Sequence, residues 1–505
     1  MTTANMHSLI GSLRGRRAAR NAVIAAALAL PLGACNLDRI VKTKDPDIVH
    51  PEQLAGKSAL PNVLAGAIGD FQVAYSGTSG TEGQILYSGL LGDEWKISDT
   101  FGTRIEMDQR AISENNSNNL PVFANLQNAR HSTEAAAAQY LSLAGTRASA
   151  TDSTTFANGG GESLALAGYT YILFAENYCE GVPFSEFDAA GNIQYGSPNS
   201  KAETLRRALA RFASADSALS SKSGSSASIR NLVRVGRARA YLDLVNTDTS
   251  AAQNQLYRDS ASIAAAPVPI TFTYQIFHSE NSGRENNSVW SFNNSQVRFS
   301  VANREGVNGL PYRSAFVNGV DVRTATNPTA VSGFDNSTAF LNLKYPERKA
   351  NVVLASGAEA RYIQAEVALN NGDVPAYLNY MNAVRDAFQT YNQCYPLAVS
   401  AGTCSNPSAP LGPLSDPAAA GATAQQAFDA RLNLLFQERA YTMWITSHRL
   451  GDLRRLIYQY GRTQNTVFPS GTYAGNRTYG TNVSFPVPVE EHNNPKYKTC
   501  DPNKA

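Results

Sequence analysis

Residues 438–455 read Glu438-Arg439-Ala440-Tyr441-Thr442-Met443-Trp444-Ile445-Thr446-Ser447-His448-Arg449-Leu450-Gly451-Asp452-Leu453-Arg454-Arg455. Leu432, Phe436, Ala440 and Met443 recur at i, i+4, i+8 and i+11, which puts them on one helical face. Trp444 falls in the same amphipathic stretch, where packing into a core is its expected role. Glu438, Arg439, Asp452, Arg454 and Arg455 stand near expected helix ends and turns. Bidentate arginine–carboxylate pairing there would lock the C-terminal helices together. We read these charges as structural, not as ligand contacts.

Working outward, other segments repeat the helical period. Leu164, Gly168, Tyr171, Ala175 and Tyr178 share a face, as do Ala358, Tyr362, Ala365 and Leu369. Between Val233 and Leu244 lie Gly236, Ala238 and Ala240, small residues where two helices can approach closely. Gly372-Asp373 caps one helix and turns into Tyr377–Phe388. Helix, short turn, helix is the unit of tetratricopeptide-like arrays, although no clean period of about 34 residues is kept. The predicted fold is mainly α: a tetratricopeptide-like helical-hairpin scaffold with long irregular loop regions and a few short strands. The loop regions, at about 75–120 and 267–355, are rich in Gly, Asn, Ser and Thr. Ser288–Ser300 alternates like a strand. Long irregular segments usually carry function, and binding residues collect on such loops.

At the other end, Arg14, Arg16, Arg17 and Arg20 precede an apolar run from Ala22 to Leu32, then Gly33-Ala34-Cys35. This order predicts a lipoprotein signal peptide over 1–34, lipidation at Cys35 and a single exported domain over 35–505. The apolar run is too short to span a bilayer, which needs about 20 residues. Removing residues 1–34 takes away four arginines and no acids, so a formal charge of +2 becomes −2. Nucleic-acid binders carry a strong basic patch, so that class is set aside. Of the remaining cysteines, Cys394 and Cys404 flank a polar loop and form the expected local disulfide, leaving Cys179 with Cys500; an even number permits three pairings. No Cys-x-x-Cys or paired histidines suggest a metal site, and no cofactor is expected.

Together these segments show a likeness. The 438–455 stretch, followed by Phe485-Pro486-Val487-Pro488, Glu490, Glu491 and Asn493-Asn494-Pro495, resembles the C-terminus of the SusD/RagB-like family of outer-membrane nutrient-binding lipoproteins. Tyr169–Pro183 with Gly181, the helix at Leu232–Asp243, and Ser356–Arg385 with Glu359, Arg361, Ala365-Glu366 and Gly372-Asp373 resemble it too. The family often has acids where Thr442 and Thr446 stand, and Gly where Ser447 stands. The resemblance implies a protein lipid-anchored at the surface of a Gram-negative outer membrane. It would capture oligosaccharide, or in some branches peptide, and deliver it to a TonB-dependent (SusC/RagA-like) transporter.

Catalysis finds no support. Gly-x-Ser-x-Gly, His-Glu-x-x-His and the phosphate-binding Gly-Lys-Ser/Thr loop are absent. Asp93-Glu94 and Glu490-Glu491 qualify as paired carboxylates by type alone, and neighbours on a strand point oppositely. We therefore expect a binding protein; a helical-repeat scaffold for protein partners and a lipoprotein hydrolase are the competing readings. Sugars expose C–H faces beside hydroxyls, so their sites join aromatic platforms to polar groups. Trp95 and Trp290 lie in the two loop regions. Around them stand Tyr87, Asp93, Phe101 and Arg104, and Tyr274, Phe292 and Arg304, which complete the expected ligand set. Alanine at Trp95 or Trp290 should then weaken glycan retention and leave thermal unfolding nearly unchanged.

Overall fold

A computed structural model describes residues 56–144, 149–188, 190–220, 224–247, 250–318, 321–391 and 411–505. The expected leader, Cys35, Cys394 and Cys404 lie outside the described residues. The chain divides into Met1–Ala59, of which only a 3-10 turn at Lys57–Ala59 and the residue before it are described, and Leu60–Ala505.

The second unit is built from helices in chain order: α1 (Leu60–Ser76), α2 (Gln84–Leu91), α3 (Gly102–Asp108), α4 (Asn119–Ala144), α5 (Ala150–Asn177), α6 (Lys201–Ser220), α7 (Ala227–Leu244), α8 (Ala251–Ala265), α9 (Tyr312–Val317), α10 (Gly357–Asn370), α11 (Val374–Tyr391), α12 (Ala424–Thr442), α13 (Arg449–Tyr458) and α14 (Gln464–Val467). Consecutive helices pack as hairpins, α4 on α5, α5 on α6, α6 on α7, α7 on α8, and α10 on α11. This is the mainly α architecture expected.

Local chemistry explains the ends. Ser149, Ser226, Ser250, Ser356 and Thr423 each accept a backbone N–H from the first turn of the helix they precede. Gly372, at φ +76°, turns α10 into α11. The second half of α5 is buried on every side (Leu164 to Tyr178), so it is a central helix and not the one-faced helix its periodicity suggested. Gly168 on α5 and Gly236 on α7 both lie against the ring of Phe212 on α6. A Cβ at either would come within 2.6 Å and 2.3 Å of it. The small residue at 236 makes room for that ring, which locks three helices at once.

The strands are short and pair in twos: β1 (Trp95–Ile97) with β7 (Phe299–Val301), β2 (Val182–Pro183) with β5 (Pro198–Asn199), β3 (Glu186–Phe187) with β4 (Ile193–Gln194), β6 (Thr273–Ile276) with β10 (Val352–Ser356), and β8 (Val331–Ser332) with β9 (Thr338–Ala339). All pairs are antiparallel. The 75–120 region is interrupted by regular structure: the end of α1, α2, β1, α3 and the start of α4 cover 22 of its 46 residues. One expectation is corrected here. Ser288–Ser300 is not a continuous strand: Trp290–Ser295 forms a π-helical turn, started where the Asn287 side chain accepts from the backbone N–H groups of Val289 and Trp290.

The 438–455 stretch is the ionic centre. Arg439 donates to Asp452 from Nε (2.9 Å) and Nη2 (2.7 Å). Arg455 holds both Asp452 (2.9 Å) and Glu366, and Arg449 grips Asp93 with two bonds. Arg454 donates to the carbonyls of Ala175, Glu176 and Tyr178, satisfying the C-terminal end of α5. Burial alone would raise the Asp452 carboxyl; Arg439 and Arg455 outweigh it and hold it well below the ordinary range. Trp444 is fully buried, but in the turn after α12 and not within a helix. In that turn Ser447 has φ +59°, the left-handed region glycine adopts most easily.

Candidate functional site

The β1–β7 pair brings the two loop regions together, with Trp95 opposite Val301 and Ile97 opposite Phe299. Just beyond it three segments are knitted by backbone bonds. Ser98 N–H donates to the Arg298 carbonyl (2.9 Å), Phe334 N–H to the Val297 carbonyl (3.0 Å), and Asp335 N–H to the Ser98 carbonyl (3.2 Å). Ser98 Oγ also donates to the Val297 carbonyl (2.8 Å). Val297 is held at φ +51°, costly for a β-branched residue. Such strain persists only where surrounding bonds enforce it, and it clusters at ligand sites.

On this junction two rings face solvent. Phe101 is 51% exposed and Phe334 is 49% exposed. The Arg298 guanidinium lies 3.7 Å from the Phe334 centroid and 5.1 Å from that of Phe101. It is pinned by Gln296 (3.0 Å) and by both oxygens of Asp99 (2.9 Å each). Arg104 shares Asp99 (2.6 Å), pairs with Glu82 (2.5 Å) and stacks on Phe101 at 5.0 Å. Burial would lower the Arg104 guanidinium, but Glu82 outweighs it and the pKa is raised. Two arginines balance Asp99 and Glu82, so the floor beneath the flat apolar faces carries no net charge, with the Asp335 carboxylate at its rim. That suits a neutral, hydroxyl-rich ligand.

The structure sorts the expected ligand residues. Phe101 and Arg104 belong to this face. Trp95 is fully buried, edge-on to Phe299 at 6.3 Å, so it cannot present a platform. Tyr87 and Phe292 are buried in the same core, with Tyr87 beside Phe485 and Phe292 beneath Arg104. Asp93 is buried and spent on Arg449, the Leu310 N–H and the Tyr312 hydroxyl. These are corrections: β1 carries Trp95 into the core, α2 is buried over its whole length and takes Tyr87 with it, and the π-helical turn tucks Phe292 inward. Tyr274 sits on β6, half-buried, donating to Glu162 (2.6 Å), in no described contact with the Phe101 face. Trp290 is half-buried under Arg348, whose guanidinium is 5.0 Å from the ring. Arg304 is exposed in a left-handed turn whose N–H bonds the Leu310 carbonyl.

Arg298, Phe334 and Asp99 were missed. Gly333-Phe334-Asp335-Asn336, an aromatic bracketed by turn formers, was the available signal for an exposed ring at a hairpin tip. Of the cavities, those lined by Glu176, Asp243 and Arg455 lie inside the ionic centre and are no larger than a water. Among the described residues no group of acids, histidines and cysteines is arranged to hold a metal, and no helix is long and apolar enough to cross a membrane.

No protein-family profile matches the chain, and no curated protein matches it. Solved structures do. A SusD-like protein of Bacteroides fragilis matches at TM-score 0.58 and 12% identity, covering 90% of this chain and 99% of its own. A SusD/RagB family protein of Bacteroides thetaiotaomicron matches at 0.55 and 14%, covering 86% and 94%. NanU of Bacteroides fragilis matches at 0.55 and 12%, covering 91% and 100%. The chain therefore has the SusD-superfamily fold.

Proposed function

We propose that this chain is a non-catalytic, lipid-anchored surface protein of the SusD kind, which captures an oligosaccharide and delivers it to a TonB-dependent transporter in the outer membrane of a Gram-negative bacterium. The fold supports the nutrient-binding reading. The observation that carries the ligand assignment is the Phe334–Arg298–Phe101 stack, two exposed rings fixed on a charge-balanced floor at the meeting point of three loop segments. Its neutrality favours sugar over charged peptide. The basic and apolar leader ending at Cys35 supports anchoring outside the cytoplasm.

The test is retention of the wild-type protein in affinity gels cast with a panel of purified glycans, beside a panel of peptides, with released products measured. We expect retention by at least one neutral glycan and no product. Retention by peptides alone, or sugar release, would overturn the assignment.

A further inference from the structure

The hairpin of residues 470–480 lies across the far end of α3. Tyr473 N–H donates to the Arg477 carbonyl (2.9 Å), Tyr479 N–H to the Gly471 carbonyl (3.0 Å), and Thr472 bridges to Thr478. The two tyrosines meet edge to face at 5.1 Å. Each aims its hydroxyl at a carboxyl group from a different loop region. Tyr473 donates to Asp108 Oδ2 (2.8 Å), the last residue of α3, and Tyr479 reaches Glu305 Oε2 (3.5 Å). The Ile97 N–H shares Asp108 Oδ2 (2.9 Å), and Gln109 donates to the Thr478 carbonyl (2.9 Å). The opposite end of this seven-residue helix carries Phe101 and Arg104.

We propose that the 470–480 hairpin is a clasp on α3 that tightens in acid and loosens in alkali, and that it thereby sets the Phe101 end of the ligand face. The second half rests on the functional reading above; the first does not.

Asp108 is buried, and burial, with Glu305 adding to it, raises its carboxyl to about 7 against the opposing Ile97 N–H, Tyr473 and Lys96. Burial likewise raises Glu305, which Lys96 and Tyr479 relieve and Asp93 worsens. Arg477 lies over the Tyr473 ring at 5.0 Å and is the hairpin's own cation. Lifting the hairpin would hydrate Asp108 and return it toward about 4. The closed form thus binds the extra proton. Its stability is fully present below about pH 4 and is lost as pH rises through about 7.

Deuterium uptake by the peptide spanning 470–480 in the full chain tests the clasp, read as the ratio of wild type to Asp108→Asn at the same pH, which cancels intrinsic exchange. We expect that ratio to rise on the order of a hundredfold between pH 5 and pH 8. Tyr473→Phe, which removes the donor, should exchange fast at both. A ratio equal at the two pH values overturns the clasp; should Asp108→Asn not fold, equal protection in wild type and Tyr473→Phe does so. Retention of glycan by wild type but not Asp108→Asn should change across the same range, and equal pH profiles overturn the coupling to α3. If the hairpin responds while no glycan is retained at either pH, the clasp stands and the functional reading falls.

Discussion

At the scale of single residues, exposure separates aromatic groups that stabilise from those that bind. Phe101 and Phe334 are half exposed and project from backbone fixed by other segments. Alanine at either should weaken glycan retention at least several-fold and move Tm by no more than a few degrees, since only about half of each ring is buried. Gel retention and thermal melts measure the two effects separately. Trp95→Ala should do the reverse. A fully buried tryptophan truncated to alanine costs about 3–5 kcal/mol, so chemical denaturation should show a large loss of stability. The contrast marks where the sequence was readable. Composition picked out the two loop regions, but period and composition do not say that they pair or which way a three-residue strand faces. Phe334 escaped notice because it lies more than 200 residues from Phe101, and the β1–β7 pairing with the Phe334–Val297 and Asp335–Ser98 backbone bonds brings them together.

At the scale of elements, charge spacing was more informative than hydrophobic period. Glu438, Arg439 and Asp452 announced a lock between helices, and the Arg439–Asp452 pair forms it between α12 and α13. Arg323 extends it, holding Asp321 and Glu438 from the loop region. Asp452→Asn would leave Arg439 and Arg455 buried with an incomplete partner. Breaking a buried pair in this way costs roughly 3–5 kcal/mol, to be read as a shifted urea midpoint at unchanged slope. An unshifted midpoint would mean the pair is dispensable. The hydrophobic period, by contrast, located α5 but misjudged its surroundings, because a central helix surrounded by α4, α6 and α7 needs no polar face.

At the scale of the whole molecule, the C-terminal tail closes the structure on itself. Cys179 and Cys500 form a disulfide across 321 residues, beside backbone bonds from Cys179 to Phe485 (3.0 Å) and from Phe485 to Asn177 (2.8 Å). In the chain-entropy picture a cross-link over so long a loop contributes up to about 5 kcal/mol. Reduction should therefore lower Tm by several degrees, with the hairpins α4 through α8 melting together with the tail. No change on reduction would mean that the tail is held by its backbone bonds alone. Cys179 with Cys500 is the pairing expected once Cys394 and Cys404 are taken as a local staple, although the cysteine count alone permits three. The helical-hairpin scaffold was legible in part: the α10–α11 hairpin is a local event marked by Gly372-Asp373, and α5, α7 and α12 show their period, whereas α4, α6 and α8 were not singled out.

The central claim is that sugar is captured on the exposed Phe101–Arg298–Phe334 face. The most direct measurement is a crystal structure of the protein with an oligosaccharide that it retains. The account predicts a pyranose ring laid on Phe101 or Phe334, with its hydroxyls toward Arg298 and Gln296. A sugar bound elsewhere, with both rings left uncovered, would contradict it.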